Sequence, residues 1–200
     1  MVAAIANSMR YTGAGLRILV CLAGGALAFV PREAPAQLAV SREYQVKAAF
    51  LFNFVQFVEW PTRAFTNSEA PICIGVLGED PFASALEETV RGETVQNRKL
   101  IVQHSNRVEA LKDCQLVFIS KSETDRIPGI LDDLDPEPVL TVSETQGFAQ
   151  RGGIINLYLA GNKVRFEINP AAARRKGLKI SSELLSLGKI IEAAPVREKR

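Results

Sequence analysis

Apolar positions recur along the chain in two rhythms. From Tyr44 to Glu59, "YQVKAAFLFNFVQFVE", the residues Val46, Ala49, Phe50, Asn53, Phe54 and Phe57 return every three or four positions. That is the period of one helix face, and the spacing predicts an aromatic-rich helix that Pro61 ends just after Trp60. Short apolar runs then alternate with helical stretches. Ile72–Leu77, Leu100–Gln103, Leu116–Ile119 and "PVLTVS" read as strands, and helices are expected over Pro81–Val90, Arg107–Lys112 and Glu123–Leu134. The Gly-rich "QGFAQRGG" is a loop, and beyond it the rhythm becomes strictly alternating. "IINLYLAGNKVRFEIN" predicts a β-hairpin bending at Ala160–Asn162, with Val164, Phe166 and Ile168 on one face and Arg165, Glu167 and Asn169 on the other. "NPAAARRKG" predicts a short helix capped by Asn169, with Pro170 in its first turn and Gly177 past its end, and "SSELLSLGKII" a last helix capped by Ser181 or Ser182. The fold class expected is α/β: a mainly parallel sheet flanked by helices, a three-layer sandwich with an antiparallel C-terminal hairpin at one edge.

The N-terminus has its own pattern. Arg10 and Arg17 precede the uninterrupted run Ile18–Val30, which is short of the ~20 residues a membrane-spanning helix needs. With "APA" at residues 34–36 it reads as a cleaved export signal over 1–36, followed by one domain over 37–193 and a solvated tail over 194–200. An uncleaved anchor, or a lipoprotein using Cys21, is the other reading. Cleavage removes Arg10, Arg17, Arg32 and Glu33, a net +2, from a chain whose formal charge is +2, so the mature protein is close to neutral. No basic tract or basic–aromatic interleaving remains, which argues against nucleic acid as a partner. Cys73 and Cys114 are the cysteines that survive processing. In an oxidising compartment they read as one disulfide, the alternative being two unpaired buried thiols.

Catalytic signatures are missing from the sequence. "CIGVLGEDPF" resembles a phosphate-binding turn, but it lacks G-x-G-x-x-G, and Glu79 and Asp80 would repel a phosphate at the following helix. Asp80 capping that helix is the simpler reading. The lone histidine, His104, ends a strand with no partner motif; no metal-ligand spacing or nucleophile elbow occurs, and no cofactor is expected. Candidate contact residues are Glu59 beside Trp60, the same-face pair Arg165 and Glu167 (a binding surface or an ion pair), and Arg175 within the basic helix end Arg174–Lys176.

Several stretches in order, "YQVKAAFLFNFVQFVEWP", "ICIGVLGEDPF", "CQLVFIS" and the run from "VLTVSETQGFAQRGG" to "SSELLSLGKI", make the chain resemble the YfiR family of periplasmic regulators from Tyr44 to about Ile191. The resemblance implies an α/β sandwich that dimerises and is not an enzyme. It implies a role: binding the periplasmic sensor region of an inner-membrane diguanylate cyclase and holding it inactive, until an OmpA-like outer-membrane lipoprotein sequesters the regulator. Cyclic di-GMP synthesis and biofilm formation follow from that release. Cys73 and Cys114 match one disulfide of the family; the second cysteine pair of well-studied members has no counterpart in Leu140–Gly153. The other function class is a periplasmic small-molecule-binding module of a sensing or transport complex.

Overall fold

The computed structural model describes residues 35–192. The expected leader lies outside these residues except for its last two, as does the tail. Helix α1 runs over Pro35–Gln56. It buries Ala48, Leu51, Phe54 and Val55, positions that fall on one face at a 3.6-residue period. This face is rotated from the one the spacing suggests: Val46 is 46% exposed, Ala49 and Asn53 face solvent, and Lys47 takes the buried place. Aromatic residues on several sides of α1 blur its periodicity, so a buried lysine is what fixes the true phase. The helix also ends earlier than expected. Val58–Glu59 is strand β1, paired antiparallel with β9 (Lys179–Ile180), and the N–H of Ser181 closes the junction on the carbonyl of Phe57.

The main sheet contains β2 (Ile72–Leu77), β3 (Thr94–Val95), β4 (Arg98–Ser105), β5 (Leu116–Ile119), β6 (Leu140–Ser143), β7 (Ile155–Ala160), β8 (Lys163–Ile168) and β10 (Lys189–Ile190), in the order β10-β8-β7-β6-β5-β2-β4-β3. Strands β4, β2, β5, β6 and β7 run parallel; β7 and β8 form the antiparallel hairpin, and β10 joins β8 in parallel. Every residue of β2, β5 and β6 is buried, which requires cover on both faces. On one face Ile72, Ile74, Val76, Phe118 and Val142 meet α1 and α2 (Ala85–Val90). There Phe166 of β8 makes edge contacts with Phe50 and Phe54 at ring distances of 5.5 and 5.2 Å, a geometry adding about 0.5–1.5 kcal/mol per pair beyond burial. On the other face Leu77, Val117 and Ile119 meet the turn Val108–Leu111, α3 (Ile127–Asp133) and Phe148. The result is a mixed, mostly parallel α/β sandwich.

Sequence signals hold best where one local rule decides. Asn169 caps α4 (Pro170–Arg175), its side chain accepting from the N–H of Ala172 at 2.9 Å. It is fully buried rather than on a polar hairpin face, because its Nδ2 also donates to the carbonyl of Ala149. Ser181 caps α5 (Ser182–Leu187), but that helix stops at Gly188 and Lys189–Ile190 joins the sheet. Pro81 does not open α2, which starts at Ala85, and Asp80 makes a local turn to the N–H of Phe82 instead of capping a helix. The extra strand β3 turns into β4 through Gln96 and Asn97, both at positive φ.

Candidate functional site

The turn after β2 is a filled corner. Gly78 sits at φ +90°, where a Cβ would lie 2.8 Å from Glu123 Cγ. Its N–H donates to the carbonyl of Ser105, and the next N–H, of Glu79, donates to Ser122 Oγ. The donors a phosphate would need are thus occupied, that of Gly78 by the end of β4 and that of Glu79 by the turn Lys121–Arg126.

The open space lies on the same side of the sheet, past the carboxyl ends of β5 and β6 and alongside β7, in the region where parallel α/β sheets bind their ligands. A cleft of about 570 Å³ is bounded by α1, the ends of β5 and β6, the 146–150 loop and the outer half of β7. Its floor is ionic. Lys47 is 2% exposed and bonds both Glu43, one turn earlier on α1, and Glu144, the residue after β6. Tyr44 donates its hydroxyl to Glu144 Oε1 at 2.8 Å, and its ring lies 4.4 Å from the Lys47 ammonium. Lys121 reaches the same carboxylate oxygen at 3.7 Å. Burial, and then the Glu144 carboxylate, hold the Tyr44 pKa well above the ordinary phenol value. These groups neutralise one another: a buried lysine is stable charged only with such partners. The far wall is Glu167, which accepts from Gln150 Nε2 at 3.0 Å and pairs with Lys189 at 2.9 Å. That pairing raises the Lys189 pKa.

Glu167 is therefore the one expected contact residue that lines the cleft. Arg165 shares its strand face, but Glu167 pairs with Lys189 and Gln150, so the alternative of an Arg165–Glu167 ion pair is corrected. Arg165 instead stands exposed opposite Tyr158. Glu59 is exposed and pairs with Lys179 at 3.7 Å; it lies beyond the other end of α1, whose stretch from Lys47 to Gln56 alone spans about 13.5 Å at about 1.5 Å per residue. Arg175 is exposed in the last turn of α4. Its neighbour Lys176 is buried, donating to the carbonyl of Leu134 at 2.7 Å beyond α3, and desolvation lowers its pKa. His104 lies on β4 with Nε2 2.6 Å from Glu87 Oε1.

Cys73 and Cys114 form a disulfide at the opposite end of the parallel strands, where β2 and β5 begin. Beside it Gln115 accepts from the N–H of Cys73 and donates to the carbonyls of Ala64 and Asp113, while Trp60 Nε1 donates to its carbonyl. Among the described residues no group of three His, Cys, Asp or Glu side chains is placed to hold a metal, and no helix is long and apolar enough to cross a membrane. The sequence reading missed Tyr44, Lys47 and Glu144. The available signal was a single lysine inside an aromatic helix, with a glutamate four residues before it.

A family model described as YfiR/HmsC-like matches residues 44–189. No curated protein matches the chain. Among solved structures, a conserved domain protein from Vibrio cholerae O1 biovar eltor aligns at 11% identity and a TM-score of 0.53, over 74% of this chain and 60% of that one, so this chain spans less than two thirds of it. That likeness is one of fold. The ABC domain in complex with L-Trp from Streptococcus pneumonia aligns at 10% identity and a TM-score of 0.49, over 74% of this chain and 62% of that one.

Proposed function

The chain belongs to the YfiR/HmsC-like family, and from that premise we propose that it is an exported periplasmic regulator acting by protein contact. It binds the periplasmic sensor region of an inner-membrane diguanylate cyclase and keeps the enzyme inactive, limiting cyclic di-GMP and biofilm formation. An OmpA-like outer-membrane lipoprotein relieves the repression by sequestering it, and the working unit is a homodimer. The observation that carries this reading is the family match over residues 44–189. The disulfide supports it, being at home in an oxidising compartment. So does a cleft whose ionic groups are tied to one another rather than poised for a reaction.

Of the expected contact residues, Glu167 and Arg165 lie on the hairpin, next to the exposed Tyr158 and Leu159, and the partner face is assigned to them. Glu59 and Arg175 lie on other elements and keep a contact role only if the partner wraps beyond the hairpin. A second reading, a small-molecule-binding module, is favoured by the cleft volume of about 570 Å³, which is within the ordinary range of ligand sites. The two coexist if a ligand binds the free and cyclase-bound states unequally.

Deletion of the gene in a strain expressing the candidate cyclase tests the proposal. Cyclic di-GMP and surface attachment should rise, and the mature protein should co-purify with the sensor region. Unchanged cyclic di-GMP in the deletion strain would refute the repressor role.

A further inference from the structure

Pairing of β7 with β8 fixes where the main chain of β7 points. The N–H of Asn169 donates to the carbonyl of Ile154, and hydrogen-bonded pairs recur at every second residue of an antiparallel ladder. Asn156, Tyr158 and Ala160 therefore direct their main-chain groups at β8, while Ile155, Leu157 and Leu159 direct theirs to the opposite side. On that side the parallel register of β6, Val142 against Ile155 and Ser143 against Asn156, takes the main-chain groups of Ile155 and the N–H of Leu157. The chain of β6 then leaves the sheet at Glu144, and Asn156 Nδ2 closes the ladder by donating to the carbonyls of Ser143 and Leu157. From there to Ala160 no strand among the described residues pairs with the outer edge of β7, and that edge lines the cleft.

Natural sheets blunt exposed edges with charges or cover. The two sides of this hairpin differ in that respect. β8 carries Lys163, Arg165 and Glu167, and β10 covers its base. β7 reads "INLYLA", without a charge, and presents Tyr158 at 37% and Leu159 at 50% exposure. We infer that the open edge of β7 is a strand-addition site, which takes an extended polypeptide segment carrying a cationic side chain into the cleft. Main-chain bonds to Leu159, the outward-facing position that neither β6 nor Asn156 satisfies, hold the segment, and alternate side chains fill the cleft. Four added residues span about 13 Å at about 3.3 Å each. The sign of the side chain follows from the lining, where the carboxylates of Glu43, Glu144 and Glu167 outnumber the ammoniums of Lys47 and Lys121. Glu43 is the more exposed of Lys47's two carboxylate partners, and Lys189 meets Glu167 from outside the lining. Assigning the segment to the cyclase sensor region rests on the repressor reading.

Two arms test the inference separately from that reading. In the first, short capped peptides alternating valine with lysine, or valine with glutamate, are titrated at millimolar concentration into isotope-labelled mature protein while amide exchange is followed. The lysine peptide should bind more tightly than the glutamate peptide and slow exchange at Leu159. Leu159→Pro should weaken its binding at least tenfold with little change in folding, because that N–H faces outward and Leu159 makes no ladder bond to β8. Should the proline variant misfold, Leu159→Lys blocks the edge by charge instead. No slowing at Leu159 with the wild-type protein, or undiminished binding by a folded edge variant, overturns the site; equal binding of both peptides overturns the cationic segment. In the second arm the cyclase sensor region replaces the peptide. Absence of wild-type binding there defeats the repressor reading and leaves the peptide result standing, whereas equal binding by wild type and edge variant overturns the edge as the cyclase's dock.

Discussion

At the scale of single residues, Lys47 carries the most consequence. Replacing one partner of a buried ion pair strands the other, so Lys47→Ala, which leaves the buried Glu144 with only the Tyr44 hydroxyl and the exposed Lys121, should cost up to about 3–5 kcal/mol in denaturant unfolding. Lys47→Met combined with Glu144→Leu removes both charges and should recover most of that loss; a double variant as unstable as the single one would show that shape, not charge, dominates the site. Tyr44 gives a prediction in pH. Its folded pKa lies above the ordinary value of 10.0, so it stays neutral in the folded protein at a pH where the unfolded chain has ionised. The stability it confers is complete below pH 10 and is lost as pH rises further into the alkaline range. Tyr44→Phe should cost about 1.5–3 kcal/mol at neutral pH, the worth of a hydrogen bond to a charged group, and should flatten the alkaline decline. Phenolate absorbance titrated on both proteins checks this: Tyr44 should ionise only as the fold is lost.

Among the elements, legibility followed the range of the deciding interaction. Strands β2 and β5 are as read, because an apolar run bounded by turn residues leaves few other solutions; so are the hairpin and the caps of α4 and α5, where the deciding atoms are within a few residues of each other. The strands β1, β9 and β10 were not legible. Each is two residues long and exists only because a partner remote in sequence lies alongside, as Val58 does with Ile180. The cleft was half legible. Glu167 stood out on an alternating strand, whereas Lys47 and Glu144 are joined across 97 positions and carry no local mark of it. The hairpin supports a prediction of its own, because Arg165 is exposed and no carboxylate of the described residues pairs with it. Arg165→Glu should leave the melting temperature within a few degrees of wild type. If the hairpin meets an acidic patch on the folded sensor region, it should weaken that binding at least tenfold, ~1.4 kcal/mol. Because Arg165 lies outside the cleft lining, binding of the short lysine peptide should persist. Wild-type affinity for the sensor region would remove Arg165 from the interface.

In the whole molecule, the two ends of the parallel strands have different work. The end where β2 and β5 begin is fastened: the Cys73–Cys114 bond closes a separation of 41 residues, and Gln115 and Trp60 tie the loop after α1 to it. The opposite end holds the cleft and the open strand, separated from the disulfide by the length of β5, about 13 Å at about 3.3 Å per residue. The chain-entropy model gives a loop of that size up to ~4 kcal/mol of stabilisation, a large part of the 5–15 kcal/mol typical of a domain. None of it arises from contacts in the cleft. Replacing both cysteines with serine should therefore lower the melting temperature markedly while leaving affinity for the sensor region within about twofold, provided binding is measured well below the new transition. Thermal melts and binding titrations on the same preparations decide the matter, with thiol alkylation and intact mass confirming that the wild-type protein is oxidised. A melting temperature like that of wild type would mean that the bond constrains little. Binding weakened tenfold in a protein still folded would instead show that the fastened end governs the open one, making the disulfide a control point rather than a staple.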